Sequence, residues 1–235
     1  MTANNEATEN KPLLPEKAAR TQSAVIYTHW LLAIYDWWVL GVVTTYAWRC
    51  PTTSYLLPFF RKHASVKHLD IGVGTGYYLS NADLPPEATV TLVDLNADSL
   101  ETAEARLGRE GTRTVLHDIF EPLPKELGNF DSISLFSLMH CLPGSVEKKC
   151  EIFGHLKDRL NDGGCVYGAT ILGAGLKHNI FGRAILTLGN SKGFFTNRDD
   201  SEAGFVNALG AYFEEVEVEL RGTVLMFKCS KPKIA

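Results

Sequence analysis

The sequence predicts an α/β domain in which helices cover both faces of an open, doubly wound, mostly parallel sheet of seven strands. The first observation is an apolar strand that begins near His68 and leads directly into a glycine-rich turn. The second is the alternation of strand-like and helix-like segments after that turn, which is typical of parallel sheets. The third is that strands 213–220 and 222–228 are joined by Arg221 alone. A parallel pair needs a crossover of a dozen or more residues, so the last strand is predicted to be antiparallel.

Length, composition and charge set limits on the kind of protein. The chain has 235 residues, of which 45% are hydrophobic and 21% charged, as expected for one globular domain. A net charge of −4 and a pI near 6.0 provide no basic field, so nucleic acid is not a predicted partner. The five cysteines are widely spaced and lack a CxxC pair, so neither a disulfide framework nor a metal site is predicted. A reducing, cytoplasmic location suits them.

The N-terminal residues fall into two parts. Residues 1–20 are mostly polar and lack an apolar core segment, so they are predicted to be a disordered leader and not a signal peptide. Residues 24–48 are long enough to cross a bilayer, but Asp36 lies near their centre and aromatic residues are spread through the middle. We therefore expect no membrane span. The prediction is a helical lid over residues 21–65, with two helices that break near Gly41 and cover a ligand cleft.

The remaining elements follow from periodicity and from helix stop and start signals. Helices are predicted over 54–65, 98–107, 146–160 and 201–212. Strands after the first are predicted over 90–94, 114–118, 130–136 and 165–172, followed by the closing hairpin. Residues 161–164 read as a turn, and residues 173–204 interrupt the alternation as an insertion.

The glycine-rich turn indicates a nucleotide-type ligand. Gly72, Gly74 and Gly76 can adopt positive φ and lack a Cβ, so the backbone can pass close to a ligand at the strand end. Asp94 ends the next strand 22 residues after Gly72, near the position of ribose-binding carboxylates in such folds. Tyr77 occupies the place of the last glycine in the dinucleotide fingerprint, which argues against an NAD(P)-dependent oxidoreductase.

With Asp70 directly before it, this turn resembles motif I of the class I S-adenosylmethionine (SAM)-dependent methyltransferases. The resemblance implies that Asp70 faces the methionine ammonium and that Asp94 chelates the ribose hydroxyls. It also implies that Gly72 and Gly74 allow close approach of the cofactor and that Leu95 packs on the adenine.

The next two strand ends extend the resemblance. Asp118 closes the third strand and resembles motif III, which implies that it accepts from the adenine amino group while the backbone at Ile119 meets the ring. The alternative is a surface carboxylate that only follows a strand. Phe136, at the end of the fourth strand, is also expected to contact the cofactor.

His140 follows the fourth strand, at the point where an open parallel sheet places its chemistry. An imidazole there has the intrinsic pKa of a general base near neutral pH, so His140 is the catalytic candidate. The alternative is that His140 only hydrogen-bonds its own loop, while alignment and desolvation suffice for catalysis. His178 is a weaker candidate for the base.

Two segments of the lid, 35–41 and 48–51, resemble the N-terminal signature of a small group of bacterial and fungal class I methyltransferases. In such enzymes the N-terminal helices close over SAM, and a tyrosine or arginine holds the methionine carboxylate. Tyr35 and Arg49 are the candidates for that role. The alternative is that Tyr35 is a core aromatic residue and Arg49 caps a helix.

The pattern at 188–200 resembles the same group, and the insertion is expected to form one wall of a substrate pocket. The alternative is a structural loop whose asparagines cap helices. The predicted substrate-binding residues combine apolar walls with orienting amides. They are Trp38, Phe181, Asn190, Phe194 and Asn197.

Together these features predict a SAM-dependent methyltransferase that acts on a small, largely apolar metabolite at O, N or C, in secondary metabolism. One alternative is a SAM-binding cyclase without methyl transfer. Another is a protein methyltransferase, which should show a basic or open groove. The predicted partner is a small molecule, and the protein is expected to be a monomer or a homodimer.

Overall fold

The structure is a computed structural model that describes residues 36–234. The predicted leader, the lid residues before Asp36 and the candidate Tyr35 lie outside the described residues. The described chain forms one seven-stranded sheet in the order β3-β2-β1-β4-β5-β7-β6. The strands are β1 (Lys67–Ile71), β2 (Thr89–Asp94), β3 (Arg113–Leu116), β4 (Phe130–Phe136), β5 (Leu160–Ile171), β6 (Phe213–Arg221) and β7 (Val224–Pro232).

Strands β1 to β5 run parallel, and β7 lies antiparallel between β5 and β6. The predicted mostly parallel sheet with an antiparallel last strand is therefore confirmed. The chain winds outward from β1 to β3 and then crosses back to β4, on the other side of β1. The adjacent carboxyl ends of β1 and β4 are thus the switch point, where open α/β sheets bind their ligands.

The helices come before and between the strands. They are α1 (Asp36–Ala47), α2 (Leu57–His63), α3 (Tyr77–Ser80), α4 (Ala97–Leu107), α5 (Val146–Cys150), α6 (Ile152–Leu156), α7 (Ile180–Lys192) and α8 (Glu202–Gly210). Helix α1 is of π type, and a short π-type turn, Thr52–Leu56, leads into α2. The 3₁₀ turns are Lys125–Leu127, Met139–Cys141 and Lys157–Arg159.

Two apolar layers form the core, one on each face of the sheet. One layer joins β1 and β4 residues such as Leu69 and Ile133 to α5, α6 and α8. The other joins β2 and β5 residues such as Leu92 to α1, α2, α4 and the inner face of α7. Both faces of the central parallel strands are therefore covered, which explains why most of their residues are buried, whereas β3 at the edge of the sheet is largely exposed.

The helix at the start of the described chain differs from its prediction. Helix α1 runs through Gly41 without a break and ends at Ala47. The Thr45 hydroxyl donates to the Gly41 carbonyl at 2.6 Å within the helix. The chain turns only after Ala47, where Arg49 has a φ of 54° and Pro51 precedes the next helical turn. A single exposed glycine is therefore not enough to end this helix.

Two further predictions were wrong in detail. The helix over 146–160 is three short pieces, and the expected turn at 161–164 lies within β5. The register between β4 and β5 shifts between Phe130 and Ser132, and this irregularity accommodates Gly163 at a φ of 76°.

The insertion contains a helix, α7, that the sequence analysis missed. Asn179 caps it, since its side chain accepts from the Gly182 amide, and Gly193 ends it at a φ of 76°. Two internal glycines lower the helix propensity of this segment, so the sequence did not predict a helix here. In the structure they allow the helix to pack closely against its neighbours. A Cβ on Gly182 would lie 2.9 Å from the Ala47 carbonyl oxygen, and a Cβ on Gly189 would lie 2.4 Å from the Phe195 ring. None of the helices within residues 36–234 has the length and apolar character needed to cross a bilayer.

Candidate functional site

A cleft with about 1130 Å³ of empty space opens at the carboxyl ends of β1, β2 and β4, and we call it the glycine-loop cleft. Eight of the predicted cofactor residues line it. They are Asp70, Gly72, Gly74, Asp94, Leu95, Asp118, Ile119 and Phe136. Parallel strands deliver these residues to one edge of the sheet because each follows, or ends, a strand.

The three glycines of the turn all have positive φ, at 71°, 53° and 69°, but each serves a different purpose. A Cβ on Gly72 would lie 2.9 Å from Leu138, so this glycine allows the turn to pack on the loop after β4. A Cβ on Gly76 would lie 2.8 Å from the Ala103 backbone of α4. A Cβ on Gly74 would enter open space. Of the three, only Gly74 therefore leaves open space that a ligand could occupy.

Asp70 is a buried carboxylate at the floor of this cleft, with 5% of its surface exposed. Within residues 36–234 no basic side chain forms an ion pair with it. Ser134 on β4 donates a hydrogen bond to its Oδ1 atom. Burial raises the pKa of Asp70 to about 7, the Ser134 hydrogen bond opposes that rise, and the charge of Asp94 adds to it. A cation beside Asp70 would favour the charged carboxylate and so oppose the rise in pKa that burial causes.

The two other carboxylates are held by backbone amides. Asp94 accepts from the Asn96 amide at 2.9 Å, and amides of the glycine turn oppose the rise in its pKa that burial causes. Asp118 accepts from the Phe120 amide at 3.0 Å, which fixes the turn after β3. Both are partly buried and line the cleft, so their remaining lone pairs can accept from ligand hydroxyl or amino groups.

Arg49 does not reach the glycine-loop cleft. Its exposed guanidinium donates to the Lys177 carbonyl at 2.8 Å and so joins the end of the lid to the insertion. Arg49, with its positive φ, lies where the chain turns between α1 and the helical turn at Thr52–Leu56. The expectation that Arg49 holds a ligand carboxylate is therefore not supported. The lid instead contributes Leu40, which the sequence analysis missed, to the cleft wall.

A second cavity, with about 1440 Å³ of empty space, lies between the lid, α7 and the end of β5, and we call it the apolar cavity. Trp38 and Phe194, two of the predicted substrate-binding residues, line it together with Trp48, Phe195 and Ile185. Its polar lining is small and includes Thr44, Ser137, His140, Cys141 and Thr170. Such a cavity suits a small, mostly apolar ligand with few polar groups.

The two cavities meet at Ser137 and Cys141, which line both of them. Ser137 has a φ of 57°, a strained conformation for a residue other than glycine, and its amide donates to the Ala169 carbonyl at 2.9 Å. Sequence reasoning missed Ser137, since a serine carries no signal for positive φ. A ligand in the glycine-loop cleft and one in the apolar cavity would therefore come together beside this residue.

His140 lies on the wall of the apolar cavity, with 3% of its surface exposed. Its Nδ1 atom accepts from the Ile171 amide at 3.5 Å, which leaves Nε2 for the cavity. Burial, with the nearby charge of Lys149, lowers the pKa of His140 to about 3. The ring is thus neutral near pH 7 and a weaker base than the sequence analysis expected. Its Nε2–H can donate a hydrogen bond to a ligand.

The remaining predicted substrate residues do not line the apolar cavity. Phe181 packs edge-on against Trp38, with ring centroids 6.5 Å apart, and supports it from behind. Asn190 donates to the Asn197 side chain at 3.0 Å, and buried Asn197 donates to the Ile171 carbonyl at 2.9 Å. Both amides are used within the protein, so the structural alternative describes them better. His178 packs on Trp48, with ring centroids 6.3 Å apart, and lies outside both cavities.

The donors available to a ligand exclude some kinds of site. Across residues 36–234 no cluster of three or more histidine, cysteine or acidic side chains is arranged to hold a metal ion. Burial raises the pKa of Cys141, at the junction of the cavities, to about 12, so its thiol is protonated near pH 7. The arrangement instead suits one ligand with a cation, hydroxyls and a flat ring, next to a second apolar ligand.

Comparison with known proteins finds similarity to methyltransferases. Residues 69–166 match the family described as "Methyltransferase domain". The chain is 46% identical, over 222 residues, to the physcion biosynthesis cluster O-methyltransferase of Aspergillus chevalieri, covering 94% of this chain and 100% of that protein. It is 42% identical to the N-methyltransferase vrtF of Penicillium aethiopicum, covering 89% and 88% of the two chains. Among solved structures, the complex of DhpI with S-adenosylhomocysteine (SAH) has the same fold, with a TM-score of 0.61 at 16% identity, over 91% of this chain and 98% of that one.

Proposed function

The chain belongs to the class I SAM-dependent methyltransferases, and from this premise we propose that it methylates a small, largely apolar metabolite at the junction of its two cavities. The observation that carries the proposal is that the glycine-loop cleft and the apolar cavity share Ser137 and Cys141. One cavity has the carboxylates for a cationic adenosyl cofactor, and the other has the apolar walls for an acceptor. Their shared wall is where donor and acceptor can be held in line.

The residues of the glycine-loop cleft fit SAM. The buried Asp70 carboxylate would hold the methionine ammonium, and Gly74 would leave room for the cofactor beside the turn. Asp94 would accept from the ribose hydroxyls. When bound, SAM supplies a methyl group activated by the adjacent sulfonium.

The far end of the cleft suits the adenine ring. Leu95 is partly exposed on the cleft wall, and Ile119 and Phe136 provide buried apolar surface there. Asp118 would accept from the adenine amino group. These roles are proposals for this chain, and the cleft position of each residue supports them.

In the apolar cavity the protein acts mainly by position and by exclusion of water. Trp38, Phe194 and Phe195 provide the surface that buries an apolar acceptor. We propose that neutral His140 donates through Nε2 to orient the acceptor, because the low pKa of its buried ring makes proton removal by His140 unfavourable. Proton loss from the acceptor would then follow from the acceptor's own acidity and from solvent at the cavity mouth.

Calorimetry with SAM and SAH tests the cofactor part of the proposal. Asp94→Asn should weaken SAM binding by about tenfold to a hundredfold, since a charged hydrogen-bond acceptor is lost. Asp98→Asn is the matched control, because Asp98 is exposed and lies outside the cleft. Equal affinities of these two variants would contradict the ribose role of Asp94.

A panel of acceptors tests the reaction. Apolar ring compounds that carry a hydroxyl, an amine or neither are incubated with enzyme and SAM, and SAH release and the methylated product are measured by mass spectrometry. Two similar proteins are named an O-methyltransferase and an N-methyltransferase, so both acceptor atoms belong in the panel. Turnover of a hydroxyl or amine compound supports the proposal. SAM binding without methylation of any compound would contradict it.

A further inference from the structure

A line of hydrogen bonds between side chains of the neighbouring strands β1 and β4 leads to Asp70. In the register of β1 and β4, His68 lies opposite Ser132 and Asp70 lies opposite Ser134. Side chains two residues apart point to the same face of a strand, so all four lie on one face. Hydrogen bonds join Ser132 Oγ to His68 Nδ1 at 2.7 Å and His68 Nε2 to Ser134 Oγ at 3.0 Å, and Ser134 donates on to Asp70.

One backbone amide favours one direction for this line of hydrogen bonds. The Ser65 amide donates to Ser132 Oγ at 2.9 Å. If Ser132 then donates to His68 Nδ1, the ring carries its hydrogen on Nε2 and donates to Ser134. The Ser134 hydroxyl hydrogen is thereby free to point at Asp70. Every donor in the line then points toward the Asp70 carboxylate, and every hydroxyl hydrogen has an acceptor.

The opposite tautomer leaves the line incomplete. With its hydrogen on Nδ1, His68 would donate to Ser132, which already accepts from the Ser65 amide. The Ser132 hydroxyl hydrogen would then lack an acceptor among the described residues, a costly state for a fully buried group. Ser134 would donate to Nε2 and could no longer donate to Asp70.

His68 cannot act as an acid in this line. It is fully buried against the Phe60 ring, at 5.5 Å between centroids, and burial lowers its pKa to about 3. It is therefore neutral near pH 7, and only the position of its single ring hydrogen can vary. A neutral ring with one fixed tautomer acts as an oriented dipole.

We propose that His68 is a positioning residue for the cofactor site, whose Nε2–H tautomer turns the Ser134 hydroxyl toward Asp70 and so favours the ionised carboxylate. The inference rests on the proposed function, since it is SAM whose ammonium requires that charge. The other titratable groups that face Asp70 are Asp94 at the end of β2, whose charge opposes its ionisation, and Tyr167 on β5. Burial raises the pKa of Tyr167 well above its usual value, so Tyr167 stays neutral.

The direct test needs no cofactor. Nitrogen NMR of the histidine rings distinguishes Nε2–H from Nδ1–H in the wild-type apoprotein, and the His68→Gln spectrum assigns the signal. We expect His68 in the Nε2–H form above about pH 8, where Asp70 is ionised. The Nδ1–H form under these conditions would overturn the inference even if the enzyme bound SAM normally.

Variants give an independent test through SAM affinity measured against pH. His68→Leu and Ser134→Ala remove the donor, and we expect SAM binding to weaken about tenfold near pH 6 and little near pH 9, where Asp70 ionises without help. In His68→Gln the amide nitrogen can take the place of Nε2–H, so affinity should stay within about threefold of the wild type. His155→Leu, in the opposite layer, is the control.

The outcomes separate this inference from the proposed function. If the wild type fails to bind SAM at every pH, the proposed function is wrong, and the NMR result still reports the tautomer. If His68→Leu binds SAM as the wild type does across the whole pH range, the inference is wrong and the cofactor site stands. Ser132→Ala is a milder variant for use if His68→Leu does not fold, and it should shift the ring toward a mixture of tautomers.

Discussion

The hydroxyl of Thr75, in the glycine turn, donates to the carboxylate of Asp36, in the first turn of α1, at 2.6 Å. The same carboxylate forms an ion pair with Arg106 of α4, and Arg106 also lies over the Tyr77 ring, 5.6 Å from its centroid. Helix α1 of the lid is thereby held against the turn that lines the glycine-loop cleft. Cofactor binding and the position of the lid should therefore depend on each other.

Thr75→Val tests this link, because valine keeps the shape of threonine and loses only the hydroxyl. We expect SAM affinity to fall about fivefold, the effect of one hydrogen bond. Thr45→Val is the control, since that hydroxyl bonds within α1. Calorimetry measures both variants, and an equal change in the two would show that the link to the turn has no role in binding.

Asp70→Asn should separate stability from function. The pKa of Asp70 is about 7 in the folded protein, above its ordinary value of 3.8, so the charged form opposes folding. The protonated Asp70 side chain does not oppose folding. The stability that depends on this protonation is complete below about pH 4 and is lost as the pH rises through 7. The apo variant should thus be more stable than the wild type near pH 8, by at most about 4 kcal/mol, and this advantage should shrink toward pH 4.

Thermal unfolding of both apoproteins across this pH range measures the difference, and calorimetry should show that Asp70→Asn loses most SAM affinity. A stability difference that stays constant with pH would contradict the raised pKa of Asp70.

His140→Ala should lower kcat by about tenfold or more while SAM affinity stays nearly unchanged, because an oriented hydrogen-bond donor to the acceptor is lost. Burial keeps the pKa of His140 at about 3, so the wild-type kcat should show no loss of activity from a histidine that protonates near pH 6.5. His155→Ala is the control. If kcat of the wild type decreased at pH values below about 6.5, and kcat of the variant did not, His140 would act as the base after all.

The buried ion pair between Lys149 and Asp200 should matter for stability. Lys149 Nζ lies 2.7 Å from Asp200 Oδ2 and 2.9 Å from the Thr196 carbonyl oxygen, with no exposed side-chain surface. Lys149→Met would leave a buried carboxylate unpaired and should cost about 3–5 kcal/mol in the free energy of unfolding.

Adding Asp200→Leu to Lys149→Met should recover much of that loss, since no buried charge then remains. Lys148→Met, at a neighbouring position that is 43% exposed, should cost less than about 1 kcal/mol. Urea denaturation measures all three variants. A double variant no more stable than Lys149→Met would argue that the pair is required for packing and not only for charge balance.

The residues of the site that could be predicted from the sequence are those that lie at or just after the end of a strand. Asp94 ends β2, Gly74 and Asp118 follow β1 and β3 within three residues, and parallel strands bring such positions to one edge whatever the side-chain packing. Arg49 and Asn197 lie outside both cavities for the opposite reason. Their side chains can donate hydrogen bonds to many different acceptors. In the folded protein Arg49 donates to the Lys177 carbonyl and Asn197 to the Ile171 carbonyl, and both acceptors are distant in sequence.

The sequence by itself determined where the strands lie along the chain, the reversal of the last strand, the glycine-rich turn and the carboxylates at the strand ends, because local periodicity, connection length and glycine chemistry fix them. Only the tertiary structure decided that α1 continues past Gly41, that Ser137 joins two cavities, and that His68 lies in register with Ser132. These features depend on contacts between segments far apart in the chain, and local sequence patterns do not predict the energy of such contacts.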